Sequence, residues 1–275
     1  MNLLFIGDIV GRPGRRALAQ ALPGMIERWQ VDFVVANGEN AAAGFGITAS
    51  VAQEVFAAGA DVITTGNHVW NKKEAEQLLA QEPRVLRPAN YPPAAPGRGA
   101  AVFTTRAGVA VGVLNLCGRV FMDCVDCPFR AAERHVAELR AQAPVVVVDM
   151  HAEATSEKLA MGWMLDGQAS AVIGTHTHVA TADAQVLPGG TAYMTDVGMV
   201  GPRDSVLGID PEQIIHRFAT RLPVRFKLAG GPVVVGAAVV EIDEESGRAR
   251  SIRPVRQVVL EPAGEPAADS ADQEQ

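Results

Sequence analysis

A chain of 275 residues, 48% hydrophobic and 20% charged, has the length and composition of one large globular domain. Its net charge of −7 argues against a protein that coats nucleic acid, though not against a nucleotide substrate. No apolar run reaches the ~18 residues of a membrane-spanning helix, so no membrane partner is expected.

Met1–Ile6 lacks a basic leader and runs directly into Gly7-Asp8, so it reads as a first strand rather than a signal peptide. The three cysteines, Cys117, Cys124 and Cys127, cannot all pair within one chain, and the expected compartment is the reducing cytoplasm. Cys124 and Cys127 form a lone C-x-x-C without the further soft ligands a zinc site needs, so a structural or incidental role is expected.

In chain order, the short β-branched runs Leu3–Gly7, Asp32–Ala36, Asp61–Thr65, Val109–Leu116, Val145–Asp149 and Ala171–Thr175 read as strands, most of them apolar on both faces. Helices are expected over Gly14–Gln30, Thr48–Gly59, Lys72–Gln81, Cys127–Ala141 and Ser156–Asp166. Pro13 suits a first helical turn, Thr48 an N-cap and Gly59 a helix end. Residues 85–116 read as a loop followed by a hairpin around Gly108. After Val186 the chain is mostly strand and turn, with one helix near Pro211–Arg221 and antiparallel strands over Pro223–Phe226, Pro232–Ile242 and Ile252–Leu260. The sum is a mixed α/β fold of two packed sheets flanked by helices. One domain spans 1–260, and the acidic, Ala- and Pro-rich stretch 261–275 has the composition of a disordered tail.

Polar motifs sit where these strands end: Gly7-Asp8, Gly38-Glu39-Asn40, Gly66-Asn67-His68, Asp149-Met150-His151 and Gly174-Thr175-His176-Thr177-His178. Strand ends are where α/β sheets present ligand groups. Asp149 aside, the inventory of two carboxylates, two amides and four histidines suits two metal ions, an arrangement that clamps both oxygens of a phosphoryl transfer. His176 and His178, two apart, share one face of a strand and can aim at one site from its end. A carboxylate at Glu39 can bridge two cations, and Asn40 and Asn67 offer amide oxygens. His68 can stay off the metals and donate a proton to a leaving oxygen. His135 and His216 lie in helices among charged neighbours and read as solvated. The absence of thiolates favours Fe or Mn, with Mg as a further option, over a zinc–cysteine site.

These motifs resemble the metallophosphoesterases, and more closely the bacterial YmdB-like branch of 2′,3′-cyclic-nucleotide 2′-phosphodiesterases. The likeness is carried by Gly7–Gly11, Asn37–Ala41, Thr65–His68, Arg87–Tyr91, His151–Lys158 and Gly174–His178. Two positions depart from the wider superfamily: Val10 replaces a ligand histidine and Glu39 replaces the bridging aspartate, changes shared by the close branch, in which Asn40 makes up the lost ligand. The resemblance implies a four-layered, calcineurin-like sandwich. It places one metal on Asp8, Glu39, Asn40 and His178, a second on Glu39, Asn67, His151 and His176, and the general acid at His68. The expected reaction is hydrolysis of a small cyclic nucleotide to a 3′-nucleotide by a hydroxide held between the metals. RNA is a further candidate substrate, and association into a homo-oligomer is expected from the family. The alternatives are a broader phosphomonoesterase or nuclease, and a regulatory nucleotide sensor that keeps the metal site as scaffold. Arg12, Phe45, Tyr91 and Phe121 are unranked pocket candidates, and Asp196 reads as a turn residue.

Overall fold

Alternation of side chains along the strands sets the layers. In the first strand, β1 (Asn2–Ile6), Leu4 and Ile6 face one cluster while Leu3 and Phe5 face another. The computed structural model describes residues 1–260, so the expected tail at 261–275 lies outside the described residues. Along the chain come β2 (Asp8–Ile9), α1 (Gly11–Trp29), β3 (Phe33–Asn37), α2 (Ala49–Ala58), β4 (Val62–Thr64), a 3₁₀ turn (Val69–Asn71), α3 (Ala75–Gln81), β5 (Val85–Leu86), β6 (Ala100–Thr104) and β7 (Ala110–Cys117). Then follow α4 (Pro128–Arg140), β8 (Val145–His151), α5 (Thr155–Met164), β9 (Ala171–Thr175), β10 (Gln185–Val186), β11 (Ala192–Met194), β12 (Met199–Pro202), α6 (Pro211–Thr220), β13 (Val233–Ile242) and β14 (Ala249–Val259).

One sheet runs β2-β12-β13-β1-β3-β4-β5, with β14 paired to β13; the other runs β10-β11-β9-β8-β7-β6. Both are mixed. The neighbours β1/β3/β4 and β7/β8/β9 are parallel, whereas β13 is antiparallel to β1 and β6 to β7. Leu3, Phe5, Val35, Val113, Val147 and Ile173 fill the space between the sheets. Leu18, Leu22 and Val55 pack helices onto the outer face of the first sheet, and Ala132, Val136 and Met161 do so on the second. The result is the expected four-layered sandwich.

Local signals mostly act as expected. Thr48 caps α2 by accepting from the Val51 amide at 3.3 Å, and Gly59 closes the helix at φ 122°. Two expectations fail. Pro223–Phe226 forms no strand: Pro223 and Arg225 are exposed, and Val224 and Phe226, though partly buried, have no strand to pair with among the described residues. The segment expected to be loop before the hairpin holds β5, a two-residue strand too short to show any period.

Candidate active site

The C-terminal ends of the parallel strands of both sheets converge, and the polar motifs converge with them. Asp8, Glu39 and His151 are fully buried. Nε2 of His151 lies 3.0 Å from Oε1 of Glu39, 3.2 Å from Oδ1 of Asn67 and 3.0 Å from Nδ1 of His176. On the other side, Nε2 of His178 lies 3.1 Å from the Asn40 amide nitrogen and 3.9 Å from Oδ1 of Asp8. The ligand atoms of Glu39, His151 and His176 all fall within 4.8 Å of one another, a group able to hold a metal ion. All seven residues expected around the metals therefore meet in one place.

Each histidine is held by its outward nitrogen. Thr175 Oγ1 donates to Asp149 at 2.7 Å, so it must accept from His151 Nδ1–H at 2.8 Å, leaving Nε2 facing the cluster. Asp149 is buried and also accepts from Asn37 and Thr64. His178 Nδ1 donates to the Leu207 carbonyl at 3.1 Å, and His176 Nε2 faces Glu153 at 3.2 Å. In all three rings the inward nitrogen is the one that faces the cluster and, once unprotonated, can act as a ligand.

His176 and His178 do not continue β9, contrary to the strand-alternation expectation. The strand ends at Thr175, and both histidines adopt positive φ, 96° and 63°. This strained loop is clamped from below. Asp196 accepts from the Thr177 amide at 3.0 Å and the Gly198 amide at 2.8 Å, and pairs with Lys158 at 2.7 Å; neither charged side chain is exposed. Lys158 also donates to the Thr175 carbonyl at 2.6 Å. Asp196 is thus a turn residue, as expected, and also half of a buried ion pair. Sequence reasoning missed that role, along with those of Lys158, Thr175, Asn37 and Glu153. The available signal was position: Glu153 and Lys158 fall in the His151–Lys158 stretch, and Thr175 directly precedes His176.

The electrostatics call for positive charge. Burial pushes the Asp8 carboxyl up to about 6, with the neighbouring His178 and His151 opposing. Its Oδ1 is buried without a hydrogen-bond partner. Burial also acts against ionised Glu39, yet His151 and His68 hold it well below its usual range. Burial alone would lower His151, but Glu39, Asp8 and Asp149 push it up to about 9. Burial and the adjacent His151 drive His176 down to about 3, so that ring is neutral. An imidazolium among carboxylates therefore occupies a place suited to a cation. Gly66 leaves the space, since a Cβ there would overlap the Glu39 carboxylate and the His151 ring. Carboxylate, amide and imidazole donors without thiolate fit a divalent or trivalent first-row ion or Mg.

His68 stands at the rim with its side chain 29% exposed. Its Nδ1 lies 2.9 Å from Oδ1 of Asn40, its amide donates to Glu39, and Phe45 packs edge-on at 5.1 Å. Asn40 shows its oxygen to His68 and its nitrogen to Glu39 and His178. An oxygen ligand at this position requires the opposite amide orientation, which side-chain rotation allows. Of the remaining pocket candidates, Tyr91 packs edge-on against Trp70 at 5.8 Å and Phe121 is 90% exposed. His216 is exposed on α6, as expected. His135 is only half-buried and lies between Arg134 and Glu138, so it is not simply a solvated histidine.

A four-layered sandwich with such a cluster at its strand ends defines a metallophosphoesterase-type fold. The chain belongs to the YmdB-like protein family, whose description matches residues 4–255. It is 48% identical over 252 residues to the 2′,3′-cyclic-nucleotide 2′-phosphodiesterase of Bacillus subtilis, covering 92% of this chain and 95% of that protein. It is 32% identical to a putative phosphatase/phosphodiesterase of Mycoplasma genitalium, covering 94% of each. Among solved structures, a hypothetical protein from Thermus thermophilus matches with a TM-score of 0.87 at 45% identity, over 95% of this chain and all of that one. A structure described as a novel phosphatase from Mycoplasma pneumoniae matches with a TM-score of 0.88 at 30% identity, over 94% of this chain and 93% of that one. No helix among the described residues is long and apolar enough to cross a membrane.

Proposed function

We propose that this chain is a binuclear-metal phosphodiesterase that hydrolyses 2′,3′-cyclic nucleotides to 3′-nucleotides, within a single domain spanning 1–260. The observation that carries the reading is the convergence of Glu39, His151 and His176 beside an orphaned, buried Asp8 oxygen. The 48% identity to a 2′,3′-cyclic-nucleotide 2′-phosphodiesterase supports the substrate class. Asp8, Glu39, Asn40 and His178 would hold one ion; Glu39, Asn67, His151 and His176 would hold the other, with Glu39 shared. Fe or Mn suits these donors best. The ions, when bound, would supply neutralisation of the phosphodiester charge and an activated water nucleophile.

The chain's own residues do the rest. The Asp149–Thr175 relay keeps His151 in the tautomer that faces inward. Asn40 lies 2.9 Å from His68 Nδ1; with its oxygen turned to an ion, its NH2 would donate to Nδ1 and keep the transferable proton on Nε2. As water attacks phosphorus and the P–O2′ bond breaks, His68 gives its proton to the departing 2′ oxygen, and the phosphate remains on O3′. His68→Ala should retain both metals and lose about 10²–10⁴ in turnover on 2′,3′-cyclic AMP. The loss should be much smaller on a p-nitrophenyl ester, whose leaving group needs no proton. Equal losses on both substrates would remove His68 from the acid role.

A further inference from the structure

Away from this cluster, a cavity of about 850 Å³ opens between α4 and β6. None of the candidate metal ligands lines it, nor does His68. Four arginines do, Arg87, Arg98, Arg130 and Arg134, against the carboxylates of Asp126 and Glu138. In a chain of net charge −7 this is a local reversal of sign, and a concave cationic surface concentrates anions.

The arginines differ in their roles. Arg87 is 6% exposed, and its three guanidinium nitrogens donate to the carbonyls of Pro96, Pro88 and Ala95 at 3.1, 2.8 and 3.1 Å. Those acceptors are neutral, so among the described residues a buried positive charge stands without a carboxylate beside it, an arrangement an incoming anion would relieve. Arg130 and Arg134, four residues apart, share one face of α4. Arg98 approaches from the segment before β6, and neither it nor Arg130 makes an ion pair among the described residues. The first turn of α4 carries no acidic residue and its N-cap, Cys127, makes no capping bond. Arg130 thus stands in the first turn of the helix, where a carboxylate would be preferred, with the Asp126 carboxylate just before the N-cap.

The remaining walls are mixed, with Asn90, His135 and Gln142 among apolar residues. Ala100, Ala101 and Val102 of β6, an edge strand, form one side, with Tyr91 also reaching the cavity. A volume of this size accommodates a drug-sized ligand, since such pockets run about 300–1,000 Å³. We propose that the cavity between α4 and β6 is a second ligand site for a phosphate-bearing nucleotide, its phosphate held by Arg98, Arg130 and Arg134 and its base and sugar against the β6 wall. This does not depend on the reading of the metal cluster.

The test is calorimetric titration of the metal-loaded full chain with 5′-AMP and, separately, with inorganic phosphate. Arg98→Gln/Arg130→Gln alters exposed side chains, and should weaken 5′-AMP binding about tenfold or more with an unchanged melting temperature. Asn67→Ala, at the metal cluster, should leave that binding within about twofold, a difference under 0.5 kcal/mol. Unchanged 5′-AMP affinity in the arginine variant would overturn the proposal. So would loss of binding in Asn67→Ala with the arginine variant unaffected, which would place the nucleotide at the metal cluster. Inorganic phosphate binding as tightly as 5′-AMP would overturn the nucleotide assignment.

Discussion

Replacing Lys158 by Met should remove more than a charge. The Lys158 ammonium bonds Asp196 at 2.7 Å and the Thr175 carbonyl at 2.6 Å, and both members of the ion pair are fully buried. Met has a similar length but leaves the Asp196 carboxylate with only the Thr177 and Gly198 amides. Breaking a buried pair from one side costs about 3–5 kcal/mol, because the surviving charge stays buried. For a chain of this size each kcal/mol lowers Tm by roughly 2–4 °C, so the expected drop is about 6–20 °C. The loop held by Asp196 carries His176 and His178 at positive φ, so metal content should fall in the fraction that remains folded. Thermal denaturation and elemental analysis of the same preparation measure both. A double variant, Lys158→Met/Asp196→Leu, should recover much of the stability while leaving metal content low, since the loop amides then lack an acceptor. A Tm within about 2 °C of wild type with full metal content in Lys158→Met would refute the clamp.

Gly66→Ala should empty the proposed metal site with little change in fold, because the added methyl overlaps the Glu39 carboxylate and the His151 ring while the surrounding strands stay packed. Circular dichroism paired with elemental analysis would show it, and normal metal content would contradict it. In metal-free protein His151 is raised to about 9, so an ion binding there must displace a proton. Between about pH 6, below which the Asp8 carboxyl also takes up a proton, and pH 9 the affinity for Mn²⁺ should rise about tenfold per pH unit and flatten above, with about one proton released at pH 7.5. Titration in buffers of different ionisation enthalpy counts that proton, and no release would count against the assignment. The same raised value stabilises the metal-free fold fully below the unfolded pKa of ~6.5, and that contribution is lost as pH rises through about 9. Chelator-treated protein should therefore lose Tm over that window, relative to a His151→Gln variant.

Much of the fold was legible because the central strands are buried on both faces. Val145–Val148 and Leu3–Ile6 are continuous apolar runs, and the parallel pairings bring their polar ends to one edge. The convergence of the candidate residues was legible for the same reason: chemistry-bearing residues followed strand after strand. What escaped was set by contacts between distant segments. A lysine in α5 reads as solvated until Asp196, 38 residues later, is placed beside it. The turn of His176 and His178 out of β9 follows from that clamp and not from local propensity. The interleaving of β2 with β12 and of β13 with β1 also has no local signal, since each pairing joins segments nearly 200 or more residues apart. The arginine-lined cavity was hidden because its walls come from the Arg87–Tyr91 stretch, the segment around Arg98 and α4, each of which carries a net charge of only +1.

The central claim is tested most directly by a metal-reconstituted assay on 2′,3′-cyclic AMP, with wild type and Asn67→Ala run in parallel and the product identified by chromatography. The account predicts metal-dependent release of 3′-AMP by wild type and its near absence in the variant, whose Asn67 oxygen faces His151 at 3.2 Å in the wild-type chain. Release of 2′-AMP, or no hydrolysis by wild type carrying two metals, would contradict it.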